Sequence, residues 1–204
     1  MSIYDRDYIR ERERPEFTSG WGVTQWLLAL NVACFVLQQV AEDFTRPGYL
    51  WPRDVLHGAF WQLLTMAFLH GGLWHLLFNM LFLFQFGPAL ESLYGPRRFL
   101  KFYLLSGVVA SLAYVAGALY HGERTPALGA SGCLMGIMVL YAFHYPRQRM
   151  LFYGILPIEI RWLVVGYVLL DVSGYIHQGG GVANAAHLGG AACGAAYALW
   201  ERRR

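Results

Sequence analysis

The apolar residues of this chain fall into runs of about 14 to 22 residues set apart by short polar stretches, and no other feature limits the possible folds so strongly. The runs lie at about 24–40, 73–86, 99–120, 131–145, 162–176 and 183–200. A helix rises 1.5 Å per residue, so a run of about 17 residues reaches about 26 Å, close to the hydrocarbon core of a bilayer at about 30 Å. Only 14% of the 204 residues are charged and 56% are hydrophobic, against about 25% charged in a soluble domain. The expected architecture is therefore an all-α membrane protein with six transmembrane helices. A net charge of +3 argues against a nucleic-acid surface, and the three cysteines, Cys34, Cys133 and Cys193, sit inside apolar runs, where they read as packing residues rather than a disulfide or metal site.

Basic residues orient the spans. Thirteen of the sixteen fall at 6–14, 97–101, 147–161 and 202–204, leaving Arg46, Arg53 and Arg124 for the other side. Positive residues collect on the cytosolic side, so both termini are expected there and the span number is even. Residues 1–20 carry both signs and read as a polar cytosolic tail; 21–204 read as one membrane domain. The connection at about 41–72 is too long for a turn. It contains Phe60, Trp61, Leu63, Leu64 and Phe68, and is expected to rest partly in the outer leaflet. Helix breakers stand at Gly87-Pro88, Gly95-Pro96, Thr125-Pro126, Tyr145-Pro146 and Leu156-Pro157. The expected location is a cell membrane, such as the bacterial inner membrane, with the lipid bilayer itself as a partner.

Ionisable and polar side chains at membrane depth are costly and therefore candidates for function. His75 and Asn79, four residues apart, share a helix face. Ser131 opens a span within Gly129-Ala130-Ser131-Gly132, where free backbone N–H groups and a positive dipole end would meet a developing negative charge. His187 lies in the last span among Ala183, Ala186, Gly190, Ala191 and Gly194, a smooth stripe able to approach Gly132 and Gly136 closely. A serine beside a histidine supplies a nucleophile and a general base. Asp171, late in the fifth run, has no acidic neighbour and reads as bracing or capping a helix end; no carboxylate is placed by sequence to orient the histidine.

The segments HGGLWHLLFNM (70–80), GASGCLMG (129–136) and AHLGG (186–190), in this order and spacing, resemble the rhomboid intramembrane serine proteases, and the resemblance runs from about Trp21 to the C-terminus. It implies a catalytic pair, Ser131 and His187, and oxyanion stabilisation by His75, Asn79 and the Ser131 backbone N–H. Gly129, Gly132, Met135 and Gly190 would support that site. It also implies a membrane-embedded first loop with its Trp-Arg pair at Trp61 and Gln62, and a fifth helix that acts as a lateral gate. Two positions depart from the pattern: Gln62 stands for the frequent arginine, and Met135 for a tyrosine that packs on the catalytic histidine. His70 matches a further histidine of the family.

The function this implies is hydrolysis of peptide bonds in or beside transmembrane segments of protein substrates, without metal or cofactor. The chain has no HExxH and no paired intramembrane aspartates, so zinc and aspartyl mechanisms fit less well. The alternative is a non-catalytic rhomboid-like protein that binds membrane helices, which would need neither Ser131 nor His187. A small transporter fits least, because the ionisable residues form no chain across the bilayer.

Overall fold

The computed structural model describes residues 20–122, 124–152, 156–177 and 183–203; the expected polar tail, apart from Gly20, lies outside them. Helix α1 spans Val23–Val40. A connection of short pieces follows: α2 (Glu42–Thr45), a 3-10 turn at Arg46–Gly48, α3 (Pro52–Leu56), α4 (Gln62–Thr65) and a 3-10 turn at Met66–Phe68. Then come α5 (Leu73–Tyr94), α6 (Pro96–His121), α7 (Ser131–His144), α8 (Ile160–His177) and α9 (Ala183–Glu201). Each expected run is thus occupied by a helix. Three of them, α1, α5 and α6, are long and apolar enough to cross a membrane. Their outward faces carry Trp26, Leu30, Leu77, Phe84, Leu105 and Leu112, an apolar exterior that suits lipid and not water.

The interior is built on α7, in which every residue from Gly132 to Leu140 is buried. Helices α6 and α9 close on it through small residues. A β-carbon added at Gly194 would lie 2.5 Å from the Gly136 carbonyl oxygen, and one at Gly190 would run into the Gly132 carbonyl. Close backbone contact of this kind holds helices together where lipid removes the hydrophobic drive. Cys133 and Cys193 are free thiols buried in this packing.

Two expectations are corrected. The second run was expected to stop near Gly87-Pro88, but α5 continues through Pro88 to Tyr94 and ends at Gly95. Proline removes one helical hydrogen bond, and the extension brings a compensating set: the Glu91 carboxylate accepts the N–H groups of Val23 (2.6 Å) and Thr24 (2.9 Å) and the Thr24 hydroxyl (2.7 Å). It therefore caps the N-terminus of α1, whose first N–H groups have no helical partner. The bare Gly87 leaves room for Thr24, which would meet an added β-carbon at 2.8 Å. The all-α expectation also misses an antiparallel hairpin, β1 (Arg149–Phe152) with β2 (Leu156–Glu159), between α7 and α8.

The ends of the bundle differ in chemistry. The C-terminal ends of α5, α7 and α9 meet where the Tyr94 hydroxyl donates to Glu201 and lies 2.5 Å from His144 Nε2. Arg98 and Lys101 flank Glu201 around one cavity at this end. The opposite end holds the connection between α1 and α5 and the polar residues singled out from sequence. That connection is tied down by hydrogen bonds: Leu50 pairs both ways with Ala127 (2.9 and 3.0 Å), Gly129 N–H donates to Met66 O (2.9 Å), and Ser111 Oγ donates to Leu63 O (2.9 Å). Its aromatic and aliphatic tips, Phe44, Leu56, Phe60 and Trp61, point outward.

Candidate active site

Ser131 is the first residue of α7 and follows Ala130, which provides no side-chain cap. The opening N–H groups of the helix are thus left for another partner. Gly129 sets the approach: its φ of +128° is one that a residue with a side chain rarely adopts. The His75 ring fills the space above it, with Cε1 2.6 Å from where a β-carbon would sit. His187 lies one turn into α9, and its Nε2 is 2.9 Å from Ser131 Oγ.

The other ring nitrogen gives Asp171 a partner that the sequence did not reveal. Asp171 Oδ1 lies 2.9 Å from His187 Nδ1, a contact that ties α8 to α9 and accords with a bracing role. A carboxylate thus stands beside the histidine, where the sequence placed none. A pairing between residues sixteen apart in sequence depends on how α8 and α9 align, which no local spacing reveals. The general rule that an ionisable group inside a membrane takes a partner was the available clue. In the tautomer that carries its proton on Nδ1, that N–H donates to the carboxylate and Nε2 has the lone pair that accepts the Ser131 hydroxyl.

Across from this pair stands α5. A pocket of about 240 Å³ is lined by His75, Asn79, Ser131, Met135, Tyr167 and His187, among others. Gly71 N–H donates to His75 Nδ1 at 3.4 Å, which leaves the proton of a neutral His75 on Nε2. Asn79 Nδ2 donates one hydrogen to His75 O at 2.7 Å and retains a second. Met135 is buried one turn below Ser131, and its thioether lines the same pocket. Gly132 and Gly190 are not in the pocket wall, and they meet backbone to backbone between α7 and α9, directly behind Ser131 and His187.

The remaining singled-out residues lie in or beside the connection. Gln62 is buried, 2% exposed, accepts Trp51 N–H at 2.9 Å and donates to Pro47 O at 3.2 Å. The same amide nitrogen lies 3.5 Å from Asp54 Oδ2, so Gln62 closes this loop through contacts within the connection. Trp61 Nε1 donates to the Pro47 carbonyl at 3.1 Å. His70 N–H donates to Gln38 Oε1 at 2.9 Å. Burial, and then the neighbouring His75, push the His70 imidazole down to about 4, so it is neutral near pH 7. Among the described residues no three His, Cys, Asp or Glu side chains are gathered as metal ligands.

The family model described as Rhomboid domain matches residues 57–204. RHOMBOID-like protein 12, mitochondrial, of Arabidopsis thaliana is 30% identical, covering 87% of this chain and 57% of its own length. The Rhomboid protease GlpG of Serratia proteamaculans is 32% identical, covering 89% and 63%. Rhomboid protein 1, mitochondrial, of Saccharomyces cerevisiae is 30% identical, covering 84% and 51%. The chain thus spans between about half and two thirds of the length of these relatives.

Proposed function

The chain belongs to the rhomboid family of integral membrane proteins, and from that premise we propose that it is an intramembrane serine endopeptidase in which Ser131 is the nucleophile and His187 the general base. The observation that carries the reading is the 2.9 Å contact between Ser131 Oγ and His187 Nε2 on the wall of a pocket. Serine and histidine come from different helices, 56 residues apart, and a packing role would call for neither side chain.

His187 Nε2 takes the hydroxyl proton as Ser131 Oγ attacks the substrate carbonyl, and an oxyanion forms. The Ser131 N–H, the His75 Nε2–H and the second Asn79 N–H are the donors available to it, and donors fixed before the charge appears stabilise it without reorganisation. His187 then gives its proton to the leaving amine. Water, activated by the same nitrogen, releases the acyl group from Ser131. Substrates in this reading are membrane proteins whose spans unwind locally, because an amide held in a helix is shielded from attack. The six long helices serve as spans, and the end that collects Arg98, Lys101 and Arg202 faces the cytosol, as the distribution of basic residues favours.

The test is covalent labelling of the purified protein by a fluorophosphonate, alongside cleavage of a transmembrane reporter. Labelling and cleavage are expected in the wild type and absent from Ser131→Ala and His187→Ala, with the double variant no worse than either single one. Wild-type protein that neither labels nor cleaves but still binds the reporter is a helix-binding protein, and the protease reading then fails.

A further inference from the structure

Helix α8 buries four residues, Ile160, Leu163, Val164 and Asp171, and the last of these is a carboxylate 6% exposed. Isolated charges are not left in such places without a counterpart. Among the described residues no lysine or arginine pairs with Asp171; its partner is His187 Nδ1 at 2.9 Å. The Asn184 amide, in the orientation that satisfies both of its ends, donates to the same oxygen at 2.9 Å and accepts Tyr175 N–H at 3.2 Å. Both partners of the carboxylate thus come from α9, with Asn184 reaching back to α8 through the Tyr175 N–H, and the histidine beside it is the one that faces Ser131.

Resting on the serine–histidine reading above, we propose that Asp171 is the positioning residue of a three-member relay, Asp171–His187–Ser131, whose carboxylate is contributed by α8. The two contacts on the ring, 2.9 Å at Nδ1 and 2.9 Å at Nε2, lie on opposite sides of the imidazole. A neutral imidazole can carry its proton on either nitrogen and can turn about its bond to Cβ. An acceptor on Nδ1 fixes both, so that Nε2 always presents its lone pair to the serine. As the serine attacks, one proton passes from Oγ to Nε2 and the ring becomes a cation. The Nδ1 proton stays on the ring, Asp171 stays ionised, and the same Nε2 proton leaves with the amine. Positive charge therefore appears 2.9 Å from a buried carboxylate that pairs with no lysine or arginine among the described residues, an attraction larger in the transition state than in the ground state and magnified where water is excluded.

Two measurements on the full-length protein test this. The first reads the wild-type protein and uses a variant only for assignment: in protein labelled with 15N-histidine, the His187 signals, identified by their loss in His187→Ala, are expected to show a protonated Nδ1 and an unprotonated Nε2. A neutral ring with its proton on Nε2 overturns the proposal. The second compares variants by melting temperature, fluorophosphonate labelling rate, and kcat and KM on the reporter. Asp171→Asn keeps the shape and removes the charge; it is expected to lower the labelling rate and kcat by at least about 10²-fold at unchanged KM, as loss of the orienting carboxylate does in serine hydrolases. Asn184→Ala removes the other partner of the carboxylate and is expected to cost melting temperature more than kcat. Asp171→Asn protein with wild-type kcat, or an equal fall of kcat in Asn184→Ala, reduces Asp171 to a tie between helices and sinks the relay. Wild-type protein that does not label Ser131 sinks the serine reading instead, and the nitrogen assignment still decides what Asp171 holds.

Discussion

Helices α8 and α9 both deliver a side chain to the same imidazole relay, yet they are fastened in opposite ways. α9 is locked to α7 through glycines, with Gly190 and Gly194 set against the carbonyls of Gly132 and Gly136. α8 buries little beyond Asp171 and three aliphatic residues near its start, and turns Trp162, Val165, Leu169, Leu170 and Ile176 outward. The serine and the histidine thus stand on backbones in direct contact, while the carboxylate stands on a helix joined to the core through side chains, Tyr167, Val168 and Tyr175 among them. Geometry that reacting atoms need to within a fraction of an ångström is placed where no side chain separates the helices. The wall beside it, which the resemblance assigns to substrate admission, buries fewer of its residues than α9 does.

The most drastic way to break this contrast is to wedge the tight pair. Gly190→Leu or Gly194→Leu is expected to lose both melting temperature and reporter cleavage, since overpacking costs about 1–3 kcal/mol or more and a displacement of about 1 Å between reacting groups costs about 10²-fold in rate. Leu188→Ala, on the same helix but away from that contact, is expected to be mild. Glycine variants as stable and active as wild type would show that the α7–α9 contact does not govern the site.

A smaller effect separates chemistry from packing. His75→Ala and Asn79→Ala touch neither of the two interfaces compared above, and each is expected to lower kcat by about 10²- to 10³-fold, the size of one lost oxyanion donor, with KM and melting temperature little changed. Retention of wild-type kcat by both variants would return these residues to helix packing. The smallest effect is expected on α8: Leu169→Ala and Leu170→Ala, both outward, should shift stability by no more than about 0.5 kcal/mol. A large loss of melting temperature in either would mean that α8 is clamped as firmly as α9.

Which parts of this were legible in the sequence follows from the range of the interactions involved. Apolar runs located the long helices because periodicity and length are local properties. His75 with Asn79, Ser131 among glycines, and His187 among small residues stood out because each sits in a short pattern whose chemistry is local as well. What escaped was relational. The continuation of α5 through Pro88 depends on Glu91 reaching the start of α1, 68 residues away from Val23. The hairpin at β1 and β2 is four residues a strand, too short for alternation to declare it. Asp171 was visible as a charge in an apolar run, but its partner was fixed by the relative register of two helices. Gln62 looked like a departure and is an internal clasp of the loop, a role that only its buried partners disclose.

The brevity of α7 also sets how far below the water the reaction takes place. Fourteen residues extend about 21 Å in a hydrocarbon layer about 30 Å thick. In the proposed orientation, with the end beside Arg147 and Arg149 level with the inner surface, Ser131 lies about 9 Å beneath the outer one. Every reactant, water included, has to come down to that level, and each residue added to or removed from α7 would raise or lower the hydroxyl by about 1.5 Å. Helix length is then a ruler, and it selects which bond along a crossing substrate comes level with the serine.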